Sequence, residues 1–191
     1  SVAVSQITST SATFTSDVMD HGGETVSEVG FYYSGEETVD LATAVKVSMT
    51  YAGGSFNKAI SNLSIASTYY VKAYAVNSAG TAYSRVMNFN TLASSPVVTT
   101  IGSSDITSSS ATFSGTVVTD NGATIKERGF VWVQGDGTPT TSSRKLTASG
   151  TTGDFSATLT NLEPNKMYSF RAYAINSVGT SYGDIMTFST V

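Results

Sequence analysis

Two stretches of this chain recur at one constant step of 99 positions: Ile7-Thr-Ser-Thr-Ser-Ala-Thr-Phe14 returns as Ile106-Thr-Ser-Ser-Ser-Ala-Thr-Phe113, and Tyr74-Ala-Val-Asn77-Ser-Ala-Gly80-Thr81 returns as Tyr173-Ala-Ile-Asn176-Ser-Val-Gly179-Thr180. A register held over that distance means one domain present twice, so each copy is a check on the other. At 191 residues, each copy has about 100 residues, the modal size for a domain that buries its own core. The expected units are residues 1–93 and 96–191. Nothing at positions 1–2 matches Pro96-Val97-Val98-Thr99, whose counterparts would precede Ser1. The first copy is therefore expected to have a shortened opening strand, and the natural chain to begin further upstream with further domains.

Apolar residues make up 40% of the chain and charged residues 13%, with abundant Ser, Thr and Gly, the balance of an all-β protein with many turns. A formal charge of −4 without any Lys/Arg cluster leaves no electrostatic footprint for nucleic acid or an anionic lipid surface. No run approaches the roughly 18 apolar residues of a membrane helix, so no direct membrane insertion is expected of this segment. The absence of cysteine excludes a disulfide framework, a thiolate nucleophile and a cysteine zinc site.

Period-two alternation dominates, and no window carries a 3.6-residue stripe. In the second copy the strands are expected at 97–101, 110–118, 126–133, 144–148, 155–162, 167–175 and 181–188. Turn residues such as Asp120-Asn121-Gly122 and Gly135-Asp136-Gly137 separate them. Seven short strands per copy match an immunoglobulin-like sandwich. Thr91-Leu-Ala-Ser-Ser-Pro96 reads as a short linker closed by proline, with limited swing.

One run carries a family likeness. Leu162-Glu-Pro164-Asn-Lys-Met-Tyr168-Ser-Phe170-Arg-Ala172-Tyr-Ala174-Ile-Asn176-Ser-Val-Gly179 resembles the E–F corner and F strand of fibronectin type III domains. The first copy keeps Leu63, Tyr69, Val71, Ala73, Ala75, Asn77 and Gly80 but has Ile65 in place of the proline. The likeness implies that Tyr69 and Tyr168 are corner tyrosines, each burying a ring while its hydroxyl bonds the backbone upstream. Gly30-Phe31-Tyr32-Tyr33 and Gly129-Phe130-Val131-Trp132 resemble the C strand of a subtype found in Gram-negative bacterial surface and glycan-handling proteins. Phe31 with Tyr33, and Phe130 with Trp132, are placed inward. The fold class is then all-β, two tandem seven-stranded fibronectin type III-like sandwiches. The resemblance implies an exported protein at the cell surface, outer membrane-associated or extracellular. It excludes 35–53 and its counterpart, where the copies share little.

If Val71, Ala73 and Ala75 face the core, alternation sends Tyr70, Lys72 and Tyr74 outward beside Tyr32, and in the second copy Arg171 and Tyr173 beside Val131. Aromatic rings next to a cation suit stacking on a sugar or a protein interface. They suit equally the ordinary cross-strand pairing of a solvent-facing sheet. Tyr32, Tyr70, Lys72, Tyr74, Arg171 and Tyr173 are thus the candidate contact face, with a protein or surface glycan as partner.

The other chemical groups read as structural. His21 is the only histidine, on a Gly-rich B–C turn whose counterpart is Asp120, which is thin support for a metal. Asp17 and Asp20 match no calcium loop. The carboxylate pairs Glu36/Glu37 and Glu24/Glu28 lie in no cleft-forming segment, while Glu28 and Glu127 occupy equivalent strand entrances. No nucleophile elbow, phosphate loop or zinc-protease motif occurs, so no catalytic residue, metal or cofactor is expected. The glycines of the B–C and F–G loops read as tight turns, at the end where related domains bind. The expected role is a non-catalytic spacer and interaction module; the alternatives are a carbohydrate-binding module and an accessory segment of a larger secreted hydrolase.

Overall fold

The computed structural model describes residues Ser1–Val191 and is entirely β, without helices. No helix is long and apolar enough to cross a membrane. The chain divides into two compact units, Ser1–Leu92 and Ala93–Val191. Unit 1 holds β1 (Ala3–Ser5), β2 (Ala12–Asp17), β3 (Glu28–Ser34), β4 (Val45–Thr50), β5 (Ser55–Ile60), β6 (Thr68–Asn77), β7 (Gly80–Tyr83) and β8 (Met87–Asn90). Unit 2 holds β9 (Val97–Ser104), β10 (Ser110–Thr119), β11 (Glu127–Gln134), β12 (Arg144–Ala148), β13 (Gly153–Thr160), β14 (Met167–Ile175), β15 (Thr180–Tyr182) and β16 (Met186–Ser189).

In each unit an antiparallel three-stranded sheet, β1-β2-β5 or β9-β10-β13, packs on an antiparallel five-stranded one, β4-β3-β6-β7 with β8 beside β6, or β12-β11-β14-β15 with β16 beside β14. Alternation drives this packing. Phe14 and Phe113 project from the smaller sheets into the facing aromatics. Phe14 meets Phe31 and Phe89, both at 5.5 Å. Phe113 stacks on Phe170 at 4.0 Å and meets Phe130 and Phe188 edge-on at 5.5 Å. Phe31, Phe130 and Trp132 are buried and Tyr33 is half-buried, all four on the core faces expected for them.

The corner tyrosines bond as the resemblance implies. Tyr69 Oη accepts from Ser64 N and Tyr168 Oη from Glu163 N, both at 2.9 Å. A second repeated tie goes unread in the sequence: buried Thr91 and Thr190 donate to the carbonyls of Ser64 and Glu163 at 2.6 Å and accept from Ser67 N and Lys166 N.

The last expected strand is broken in both units. β6 takes three steps from Val71 to Tyr74, while the edge chain takes four from Tyr83 to Met87. That extra residue is a bulge, and it splits one strand into β7 and β8, and in the same way β15 and β16. Most of the expected linker is also bonded into a unit. Leu92 N donates to Thr8 O in unit 1, and the carbonyls of Ser94 and Ser95 accept from Asn176 and Asn121 in unit 2.

Candidate functional site

The outer face of each five-stranded sheet, turned away from the aromatic core, carries the candidate residues. β3 and β6 pair Gly30 with Tyr74, Tyr32 with Lys72 and Ser34 with Tyr70; β11 and β14 pair Gly129 with Tyr173 and Val131 with Arg171. Register thus gathers all six candidates on outer faces, four in unit 1 and two in unit 2.

Two of the six are not available for contact. Tyr74 is 3% exposed and Tyr173 fully buried, which corrects their expected role. The cause is local. Gly30 has no side chain, and the Tyr74 ring lies over it, so that a Cβ there would stand 2.7 Å from the ring edge. From this position Tyr74 Oη donates to Glu28 Oε1 at 2.6 Å, and Lys46 Nζ contacts the same oxygen at 2.9 Å and lies 5.0 Å from the ring centre. Unit 2 repeats the arrangement at equivalent positions: Tyr173 Oη to Glu127 Oε1 at 2.6 Å, and Lys145 Nζ to that oxygen at 2.7 Å.

The electrostatics follow from these bonds. Burial, then the bond to Glu28, pushes the Tyr74 phenol up to about 12, and the same causes raise Tyr173 further. Glu28 is held below its ordinary value by the Tyr74 hydroxyl and then Lys46; Glu127 by Lys145 and then Tyr173. A lowered carboxyl and a raised phenol bind one proton between them firmly near neutrality. This Glu–Tyr–Lys group ties three adjacent strands and explains the shared strand-entrance glutamates.

The two outer faces diverge beyond that group. In unit 2 the 135–143 loop closes over the sheet. Arg171 Nε donates to the carbonyl of buried Pro139 at 2.6 Å and its guanidinium lies 3.9 Å from the centre of the Tyr182 ring. Tyr182 Oη accepts from Thr141 N at 2.9 Å, and Ser169 Oγ donates to Gly135 O at 2.7 Å. In unit 1 the corresponding cation, Lys72, rests 5.4 Å from the ring of Tyr83. Tyr83 is 46% exposed, and Tyr32, 6.4 Å from it, is half-buried. Tyr70, also half-buried, pairs with Ser34 and Asn88 away from this group.

Tyr83 was missed in the sequence because the seventh strand was read without its bulge; its position opposite Tyr74 is the signal that places it. Arg128 was missed as well. It is buried, and its guanidinium donates to the carbonyls of Ser149, Thr151, Thr152 and Gly153, holding the β12–β13 turn. The B–C turn and F–G hairpin lie together at one end of each unit: Asn77 Nδ2 donates to His21 O, Asn176 Nδ2 to Asp120 O, and Ser78 Oγ to Glu24 Oε2. His21 is exposed and contributes its backbone carbonyl there. No protein-family model and no curated protein matches the chain.

Proposed function

We propose that the chain is a pair of fibronectin type III-like, immunoglobulin-like sandwiches forming a non-catalytic spacer and interaction module of an exported bacterial surface protein. In this reading unit 1 makes the contact and unit 2 is structural. The observation that carries it is the difference between two otherwise equivalent faces. Arg171 and Tyr182 are bonded to the unit's own loop, whereas the Lys72 ammonium and Tyr83 hydroxyl make no hydrogen bond within the chain. Exposed tyrosine is enriched at contact surfaces, and the unbonded Lys72 ammonium beside it is left free for a polar or aromatic group of a partner. The repeated engagement of Glu28 and Glu127 in strand ties supports a structural use of those carboxylates rather than acid–base work.

A carbohydrate-binding module is the second reading, favoured by the two rings, Tyr32 and Tyr83, beside Lys72. Both readings meet one experiment: a glycan array, with affinity electrophoresis through polysaccharide gels, of the native chain and of Tyr32→Ala/Tyr83→Ala and Arg171→Ala/Tyr182→Ala variants. Sugar binding lost in the unit 1 variant and kept in the unit 2 variant supports the contact face and makes the partner a glycan. Binding that survives in the unit 1 variant, or follows unit 2, contradicts the assignment.

A further inference from the structure

Strand pairing in unit 1 gathers three cations that the sequence holds far apart. Lys46 lies opposite Tyr32 and Tyr32 opposite Lys72, one row across β4, β3 and β6 on the outer face. The bulge extends this row. Tyr83 pairs with Tyr74 and Met87 with Val71, so Ser84–Val86 runs beside Lys72 and Ala73, with Arg85 exposed in the middle of it. Arg85 borders one surface hollow with Glu37 and with Tyr70 and Asn88, a cross-strand pair of the same sheet.

Two of these charges are unspent. Lys46 is paired with Glu28, but the only other ion pair in the chain is Lys145–Glu127, so Lys72 and Arg85 have no carboxylate partner. Unit 2 treats the same positions differently. Val131 stands for Tyr32, Arg171 is bonded to Pro139 O, and Asp184 stands where unit 1 has Arg85. Asp184 is exposed as well, with the backbone of β9 running close past the preceding Gly183, so the openness of this position comes from the bulge. Unit 1 thus carries two unpaired cations on one face of a chain whose formal charge is −4.

We propose that this face binds an acidic polysaccharide built of hexuronate units, one carboxylate meeting Lys72 and Arg85 while the pyranose rings lie on Tyr83 and Tyr32. The proposal rests on the reading of unit 1 as the contact unit and adds the class of ligand. Charge complementarity sets its sign, because a neutral glycan leaves both cations unanswered. The rings set its kind. Tyr83 and Tyr32 stand 6.4 Å apart with planes inclined at 54°, and neighbouring strands space such residues by about 4.8 Å, close to the length of one pyranose unit. A uronate carries its carboxylate on the ring itself, so a unit stacked on Tyr83 brings its charge to Lys72, which lies 5.4 Å from the centre of that ring. A peptide strand has no anchor here, since the backbone groups of β3 and β6 are already paired with each other and β-augmentation needs a free edge. Single exposed ion pairs are weak, so repeated charge along a polymer is what gives useful affinity.

The test is affinity electrophoresis of the full chain through gels containing polygalacturonate, neutral galactan, a sulfated galactan or poly-glutamate, at low and high salt. Polygalacturonate should retard the chain several-fold more than the other three, an advantage that fades at high salt. Lys72→Gln/Arg85→Gln should weaken this binding about fivefold or more, and so should Arg85→Asp, which copies unit 2. Neither side chain is bonded within the fold, so dispersed amide NMR spectra are expected of both variants. Tyr32→Ala/Tyr83→Ala should abolish binding. Neutral galactan bound as well as polygalacturonate, and released by the tyrosine variant, overturns the acidic ligand while keeping unit 1 as the contact unit. Polygalacturonate binding unchanged in every unit 1 variant overturns both. Retardation in no gel, by sulfated galactan alone, or equally by poly-glutamate overturns the proposal, the last result assigning the face to an acidic protein.

Discussion

Phe113→Ala removes the ring at the centre of unit 2. Phe113 is fully buried, stacks on Phe170 at 4.0 Å and meets Phe130 and Phe188 edge-on. Truncating such a ring costs the transfer of its apolar atoms plus the cavity left behind, about 3–5 kcal/mol. Its edge and stacking contacts are part of that loss. Against a domain stability of about 5–15 kcal/mol, this is a large fraction but leaves room for a folded variant. With a urea slope of about 1–3 kcal/mol per molar, the midpoint of unit 2 falls by roughly 1–5 M. The assay is built into the chain, because Trp132 is the only tryptophan and lies in the unit 2 core, 5.8 Å from Tyr168. Tryptophan fluorescence therefore follows unit 2 alone. Phe14→Ala, the equivalent truncation in unit 1, should leave that midpoint where it is while lowering a unit 1 transition seen by calorimetry. A tryptophan-detected midpoint that falls as far for Phe14→Ala as for Phe113→Ala would refute the reasoning, since it requires one core shared by both halves.

Three further outcomes are expected. Arg128→Ala leaves the carbonyls of Ser149, Thr151, Thr152 and Gly153 without their charged donor; at about 1.5–3 kcal/mol for a bond to a charged group, the tryptophan-detected midpoint should drop, and faster amide exchange should appear first in the 149–153 turn. Ala66 holds φ 48° where its counterpart Asn165 holds 53°, so Ala66→Asn should stabilise unit 1 by about 0.5–1 kcal/mol, read as a higher calorimetric midpoint. Glu28 has a lowered folded value, so its contribution is present above the unfolded carboxylate range and is lost as pH falls through the folded value; Tyr74 is raised to about 12, so its contribution is present below about 10 and lost as pH rises through about 12. Tyr74→Phe should flatten both limbs of the unit 1 stability profile, and an unchanged profile would count against the tie.

What the sequence could and could not show divides along residue separation. Alternation along one strand is local, so the inward placement of Phe31, Val71 and Ala73 and the outward placement of Tyr32 and Lys72 were legible from the chain alone. So were the corner bonds of Tyr69 and Tyr168, because donor and acceptor lie five residues apart. Whether an outward residue is exposed depends instead on its cross-strand neighbour. Tyr74 is covered because Gly30, far away in the chain, leaves room for its ring; Tyr173, paired with Gly129 at the equivalent register, is buried too. The closure of unit 2 was illegible for a further reason: it rests on Pro139 and Thr141, in the stretch where the copies share little. The bulge before β8 falls at Ser84-Arg85-Val86-Met87, where two polar residues precede two apolar ones, a break in alternation that reading one continuous strand passes over.

The central claim is that Lys72 and Tyr83 are left unbonded on one outer face while Arg171 and Tyr182 on its twin are held by a loop, and tyrosine nitration of the native chain, mapped by mass spectrometry, tests it most directly. Tyr83 should be modified fastest, with Tyr32 following, while Tyr74 and Tyr173 stay unmodified until the chain unfolds. Nitration of Tyr173 at the rate of Tyr83 in the folded protein would contradict the account.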